Sequence, residues 1–83
     1  MTVVVHYYAG ARAAAGRDEE AVELPPGSTV ASLVDDLADR HGPALARVLA
    51  SCTFLVDAVA GGHERTLDGA REVDVLPPFA GGF

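Results

Sequence analysis

Eighty-three residues allow one domain with a single small core, and an apolar share of 49% suffices to build one. A net charge of −6 argues against nucleic acid or an anionic membrane surface as partner, and no run of about 18 apolar residues offers a transmembrane helix. His6, His41 and His63 lie on separate segments without ligand spacing, so no metal site is expected, and the lone Cys52 excludes an internal disulfide.

No basic segment followed by an apolar stretch marks a secretory leader, so the expected location is the cytoplasm. All six basic residues are arginine. Without lysine the chain cannot build lysine-linked chains on itself.

Residues 2–9, rich in Val and Tyr, predict a strand. Residues 10–16 are Ala-rich and bounded by glycines; they predict a loop with room for one helical turn. Residues 19–24 alternate as a half-buried second strand paired with the first. Pro25-Pro26-Gly27 forces a turn, and Ser28 or Thr29 can cap a helix.

Val30, Leu33, Val34, Leu37 and Ala38 then recur at helical spacing, with Asp35, Asp36, Asp39 and Arg40 outside the stripe. Gly42 and Pro43 end that helix. Residues 44–50 predict a short helical segment and residues 53–59 a strand. Strand alternation puts one of Phe54 and Leu55 in the core and the other on the outer face. Gly61-Gly62 predicts a turn, residues 63–67 a short edge strand, and Asp68-Gly69 another turn. Residues 72–76 alternate as a final strand, ended by Pro77 and Pro78, which cannot donate to a ladder.

A hairpin, one amphipathic helix and further strands predict an α+β fold: a mixed sheet of four to five strands, with one main helix across one face. The crossover places the first and last strands side by side in parallel. Residues 1–77 then form the domain, and residues 78–83 an extended, flexible tail.

The tail reads Leu76-Pro77-Pro78-Phe79-Ala80-Gly81-Gly82-Phe83. Two adjacent glycines bring no side chain to a core and cost the most backbone entropy to order. They suit a partner that must close around bare backbone. From Pro78 to Gly82 the chain can extend up to roughly 17 Å, and the two prolines stiffen its base. Phe79, past the prolines, can serve as a partner anchor.

Four segments together resemble the ubiquitin-like β-grasp sulfur carriers, the MoaD/ThiS group, and above all small subunits of molybdopterin synthase. They are Val5 to Arg12, Pro26 to Leu33, Asp68-Gly69 leading to Glu72-Val73, and the proline-then-diglycine tail from Leu76 to Gly82. This chain departs by continuing to Phe83, by Gly61-Gly62 where Asn-Gly is common, and by an extra residue near Ala70 or Arg71.

The resemblance implies a carrier rather than an enzyme. An E1-like adenylyltransferase would adenylate Gly82 with ATP, no cofactor being held by the chain itself. The acyl adenylate would become a thiocarboxylate, and the sulfur would pass to a synthase such as the molybdopterin synthase large subunit. Pro78, Phe79, Ala80 and Gly81 would be the partner-binding residues.

Gly82 and Phe83 would flank a processing site. Phe83 admits three readings: an extension removed by a metal-dependent protease, an engineered residue, or a sign that sulfur carriage is lost. Alternative readings are a carrier for cysteine, thiazole or specialised-metabolite synthesis, a ubiquitin-like modifier joined through Gly82, and a plain binding module.

Overall fold

A computed structural model describes residues 1–78. The elements in chain order are β1 (Thr2–Tyr7), α1 (Ala9–Ala15), β2 (Glu19–Glu23), α2 (Val30–His41), α3 (Pro43–Leu49), β3 (Thr53–Val56), β4 (Val59–Ala60) and β5 (Glu72–Leu76). Tail residues Phe79, Ala80, Gly81, Gly82 and Phe83 lie outside the described residues.

The sheet order is β2-β1-β5-β3-β4. β1 runs parallel to β5, with Tyr7 opposite Val75, as the crossover requires. The other pairings are antiparallel. Alternation sends Val3, Val5, Tyr7, Val22, Phe54, Val56, Val73 and Val75 into one core with Leu33, Leu37, Leu45 and Leu49 of the helices. Phe54 is the inward member of its pair and Leu55 the half-buried outer one.

α2 begins where the sequence places it. Thr29 is its N-cap: the Ser32 amide donates to Thr29 Oγ1 at 3.2 Å, and the Thr29 amide donates back to Ser32 Oγ at 3.3 Å. Ser28, the other candidate cap, is buried, and its hydroxyl donates to the Pro25 carbonyl. Gly42, at φ 90°, ends α2, and Pro43 opens α3 at a position where a missing N–H costs nothing.

Three expectations need correction. Residues 9–15 form a seven-residue helix, longer than the single turn for which the predicted loop left room, and β1 stops at Tyr7. Five alanines among those seven residues supply helix propensity that outweighs the interior Gly10. Gly16 closes the helix in the left-handed region, its amide donating to the Arg12 carbonyl.

Residues 53–59 are not one strand. The chain reverses at Asp57 (φ 47°) and Ala58 (φ 69°), so Val56 faces Val59 across a tight hairpin. Gly61-Gly62 comes after that hairpin. The Asp57 carboxylate accepts the amides of Arg71 and Glu72 at 3.0 and 2.9 Å, tying the hairpin to the start of β5. Those two bonds hold its carboxyl below the ordinary value.

Residues 63–67 form no edge strand. The His63 and Arg65 carbonyls accept the amides of Ala31 and Val30, capping the first turn of α2. Thr66 makes one isolated bridge with Thr29, and Leu67 enters the core. The free amides of a helix start competed with the sheet edge for these carbonyls and won.

Candidate functional site at the base of the tail

β5 is central in the sheet, so the chain leaves the domain between its two neighbours. Leu76 lies opposite Thr53 at the start of β3, and Val75 opposite Tyr7 at the end of β1. Pro77 and Pro78 follow at once. Neither offers an N–H, so the ladder cannot continue past them.

Beside this exit lies an open groove of about 610 Å³, lined by Tyr8, Ala9, Gly10, Thr53, Leu76, Pro77 and Pro78. Its floor comes from the corner between β1 and α1. Ala9 sits there at φ 49°, a left-handed backbone that L-residues adopt at a cost. Tyr8 is 44% exposed. Its hydroxyl donates to Asp74 Oδ1 at 3.5 Å. Partial loss of water, then the Asp74 carboxylate, push the phenol above its ordinary value, so it stays protonated at neutral pH.

The lining holds no carboxylate, imidazole or thiol. Such a surface can bind apolar groups beside an emerging chain; it cannot itself move protons or attack a carbonyl. Of the residues singled out on the tail, Pro78 is exposed and lines this groove. Phe79, Ala80, Gly81, Gly82 and Phe83 lie outside the described residues.

A second feature supports the corner from within. Glu20 is buried, and its carboxylate accepts from the Tyr7 hydroxyl at 2.5 Å. His41 Nε2 meets the same oxygen, and Arg40 and Arg17 reach the other at 3.3 and 3.4 Å. Burial alone would raise this carboxyl; the bonds from Tyr7, His41 and Arg40 outweigh it and hold the group below its ordinary value. Tyr7 moves the opposite way, strongly upward, through burial and its bond to Glu20.

The cluster ties β1, β2 and the end of α2 together one residue before Tyr8. Sequence reasoning did not single out Glu20. The signal was present: in the alternating second strand Glu20 falls on the same face as Val22 and Leu24, the core face.

The remaining candidates stay apart. His6 lies on the outer sheet face between Glu72, at 2.7 Å, and Glu19, at 3.5 Å. His63 packs edge-on to Phe54. Among the described residues no group of three or more His, Cys, Asp or Glu side chains could hold a metal ion. The Cys52 thiol is half-buried, donates to the Val48 carbonyl at 3.2 Å, and is pushed upward by burial, the setting of an unreactive thiol. Among the same residues no helix is long and apolar enough to cross a membrane.

A mixed sheet with parallel strands at its centre, an antiparallel hairpin on one side and α2 as the crossover defines a ubiquitin-like β-grasp protein. The family resolves further: the model of the ThiS family matches residues 5–82, and the chain belongs to that family. The matched span runs through both tail glycines and stops short of Phe83.

The chain is 32% identical to a molybdopterin synthase sulfur carrier subunit of Chlamydomonas reinhardtii, over 99% of this chain and 100% of that one. Its fold matches the crystal structure of SAMP1 from Haloferax volcanii with a TM-score of 0.85, at 23% identity, over 99% of this chain and 100% of that one. A Helicobacter pylori complex of subunits 1 and 2 of molybdopterin-converting factor contains a chain matched with a TM-score of 0.68, at 19% identity, over 99% of this chain and 100% of that one.

Proposed function

We propose that this protein is the sulfur carrier subunit of a molybdopterin synthase, with Gly82 as the residue that bears sulfur. The observation that carries this reading is the family match over residues 5–82, which takes in Gly82, joined to 32% identity over 99% of the chain with a sulfur carrier subunit.

The chemistry follows from what a carboxylate lacks. Its oxygen is a poor leaving group, so the carbonyl carbon resists attack. An E1-like adenylyltransferase would use ATP to form an acyl adenylate at Gly82. A sulfur nucleophile then forms the C–S bond as the C–O bond to AMP breaks, leaving a thiocarboxylate. These steps belong to the partner's active site, and the chain supplies the acyl group. Gly81 and Gly82 let partner backbone and nucleotide approach without side-chain obstruction. Pro77 and Pro78 limit the entropy lost when the tail is threaded.

Phe83 must leave before any of this. It places the carboxylate about 3.5 Å beyond Gly82 and adds a ring at its end. A protease cleaving the Gly82–Phe83 bond, of the metal-dependent kind that the resemblance suggests, would produce the competent carrier. The sulfur-accepting partner is the synthase large subunit, by analogy with the complex of the two Helicobacter pylori subunits.

The test of the pathway is reconstitution. The thiocarboxylated chain, a molybdopterin synthase large subunit and the pterin precursor should together yield the dithiolene product. Formation of the thiocarboxylate without any transfer to the pterin would reject the molybdopterin assignment and point to another sulfur acceptor.

A further inference from the structure

The sheet order leaves β2 and β4 outermost, and β4 has two residues against five in β2. β2 is therefore the long edge of the described sheet. Met1 and Leu24 exchange both backbone bonds, each at 2.8 Å, and the Tyr7 amide donates to the Asp18 carbonyl at 2.8 Å. An antiparallel ladder alternates, so residues 18, 20, 22 and 24 direct their backbone groups at β1. Glu19, Ala21 and Glu23 direct theirs the other way, and among the described residues nothing bonds to them there.

Such an edge is a template for a further strand. The side chains along it decide which strand fits. Glu19, Ala21 and Glu23 share the exposed outer face, so the edge reads acid, small, acid. His6 lies 3.5 Å from Glu19, and the Met1 amine 3.6 Å from Glu23, both from the β1 side. The two glutamate side chains are still 61% and 75% exposed, so each can accept a further donor. A second copy fits badly. Antiparallel pairing about Ala21 sets Glu19 opposite the copy's Glu23, and like charges directly opposite repel. A strand with Lys or Arg at two positions four residues apart sets a cation opposite each carboxylate instead.

We propose that the free edge of β2 seats an extended basic segment of a partner protein, added to the five-stranded sheet with Lys or Arg opposite Glu19 and Glu23. β2 lies two strands from β5, so a segment seated there leaves the groove beside Leu76 and Pro78 clear. The body of the protein is then held at one edge while the end of β5 stays open to an active site. The seat does not depend on the sulfur-carrier reading.

The test needs no activating enzyme, so its failure is distinct from failure of the proposed function. The 83-residue chain is titrated with the capped peptide Thr-Lys-Thr-Val-Thr-Lys-Thr and followed by proton–nitrogen NMR. The Glu19, Ala21 and Glu23 amides should move downfield and exchange more slowly with solvent, because the added strand gives them acceptors. The Val22 amide, already directed at β1, should change little. The same peptide with glutamate in place of lysine should leave all of them unmoved. In the double variant Glu19→Lys, Glu23→Lys, binding of the lysine peptide should weaken about tenfold, and the glutamate peptide should now bind. Both side chains are exposed, so the variant should fold, and an unchanged Val22 amide checks that it has.

Equal responses to the two peptides, or none at β2, would overturn the proposal. So would shifts confined to the groove or to β4. Shifts at Glu19, Ala21 and Glu23 that grow with protein concentration alone would overturn it too, by placing a second copy at this edge.

Discussion

Tyr7 and Glu20 meet in the interior, the tyrosine hydroxyl donating to Glu20 Oε2 at 2.5 Å where β1 and β2 pair. A buried carboxylate is tolerable only while its lone pairs are filled. Tyr7→Phe removes one donor and leaves the charge in place. Urea unfolding at neutral pH should show a loss of about 1–3 kcal/mol. An unchanged midpoint would mean that the hydrogen bond contributes nothing net.

The same carboxylate gives an acid limb of known sign. Its folded value lies below the ordinary 4.5. The ionised form is therefore favoured by folding, and the stabilisation is fully present above the unfolded value. It is lost as pH falls through the lower folded one. Thermal unfolding followed from pH 6 down to pH 3, roughly the range of ordinary carboxylate titration, should fall more steeply for the parent than for Glu20→Gln. Parallel curves would remove Glu20 from the account of acid sensitivity.

Ala58 occupies the second left-handed position of the β3–β4 hairpin, at φ 69°. An Asp-Gly pair suits that turn better than Asp-Ala, since glycine carries no Cβ to strain. Ala58→Gly should stabilise the protein by about 1 kcal/mol, read as a higher denaturation midpoint. A drop would show that the extra freedom of glycine in the unfolded chain outweighs the relieved strain.

Thr29 caps α2 reciprocally with Ser32. Thr29→Ala should cost about 1 kcal/mol, whereas Thr29→Ser should cost little. Equal losses in both variants would show that the threonine methyl group, rather than the cap, matters.

In the chain ending at Gly82, Tyr8→Ala should weaken binding to the synthase large subunit by about tenfold, as loss of an aromatic anchor does. Isothermal calorimetry checks this. An unchanged affinity would place the interface away from the groove.

Most of the architecture was legible because its signals are local. Val30, Leu33 and Leu37 with Thr29 and Gly42 specify α2, and the alternation of residues 72–76 specifies β5 with its prolines at the end. The misread segments depended on partners distant in sequence. Nothing within residues 53–59 announces a reversal: Asp57 and Ala58 are held in left-handed backbone while Asp57 accepts amides at residues 71 and 72. Residues 63–67 became a cap because α2 presents free amides to them. The groove was invisible for a similar reason. Tyr8 and Leu76 come from opposite ends of the chain, and only the parallel pairing of β1 with β5 brings them together.

On the proposed reading Gly82 bears sulfur and Phe83 prevents it. Intact-mass spectrometry tests this most directly, after incubating the 83-residue chain and the chain ending at Gly82 with an E1-like partner, ATP and sulfide. The shorter chain should gain the mass of one oxygen exchanged for sulfur, and the longer chain should remain unchanged. Sulfur on the chain still bearing Phe83, or none on the chain ending at Gly82, would overturn that reading.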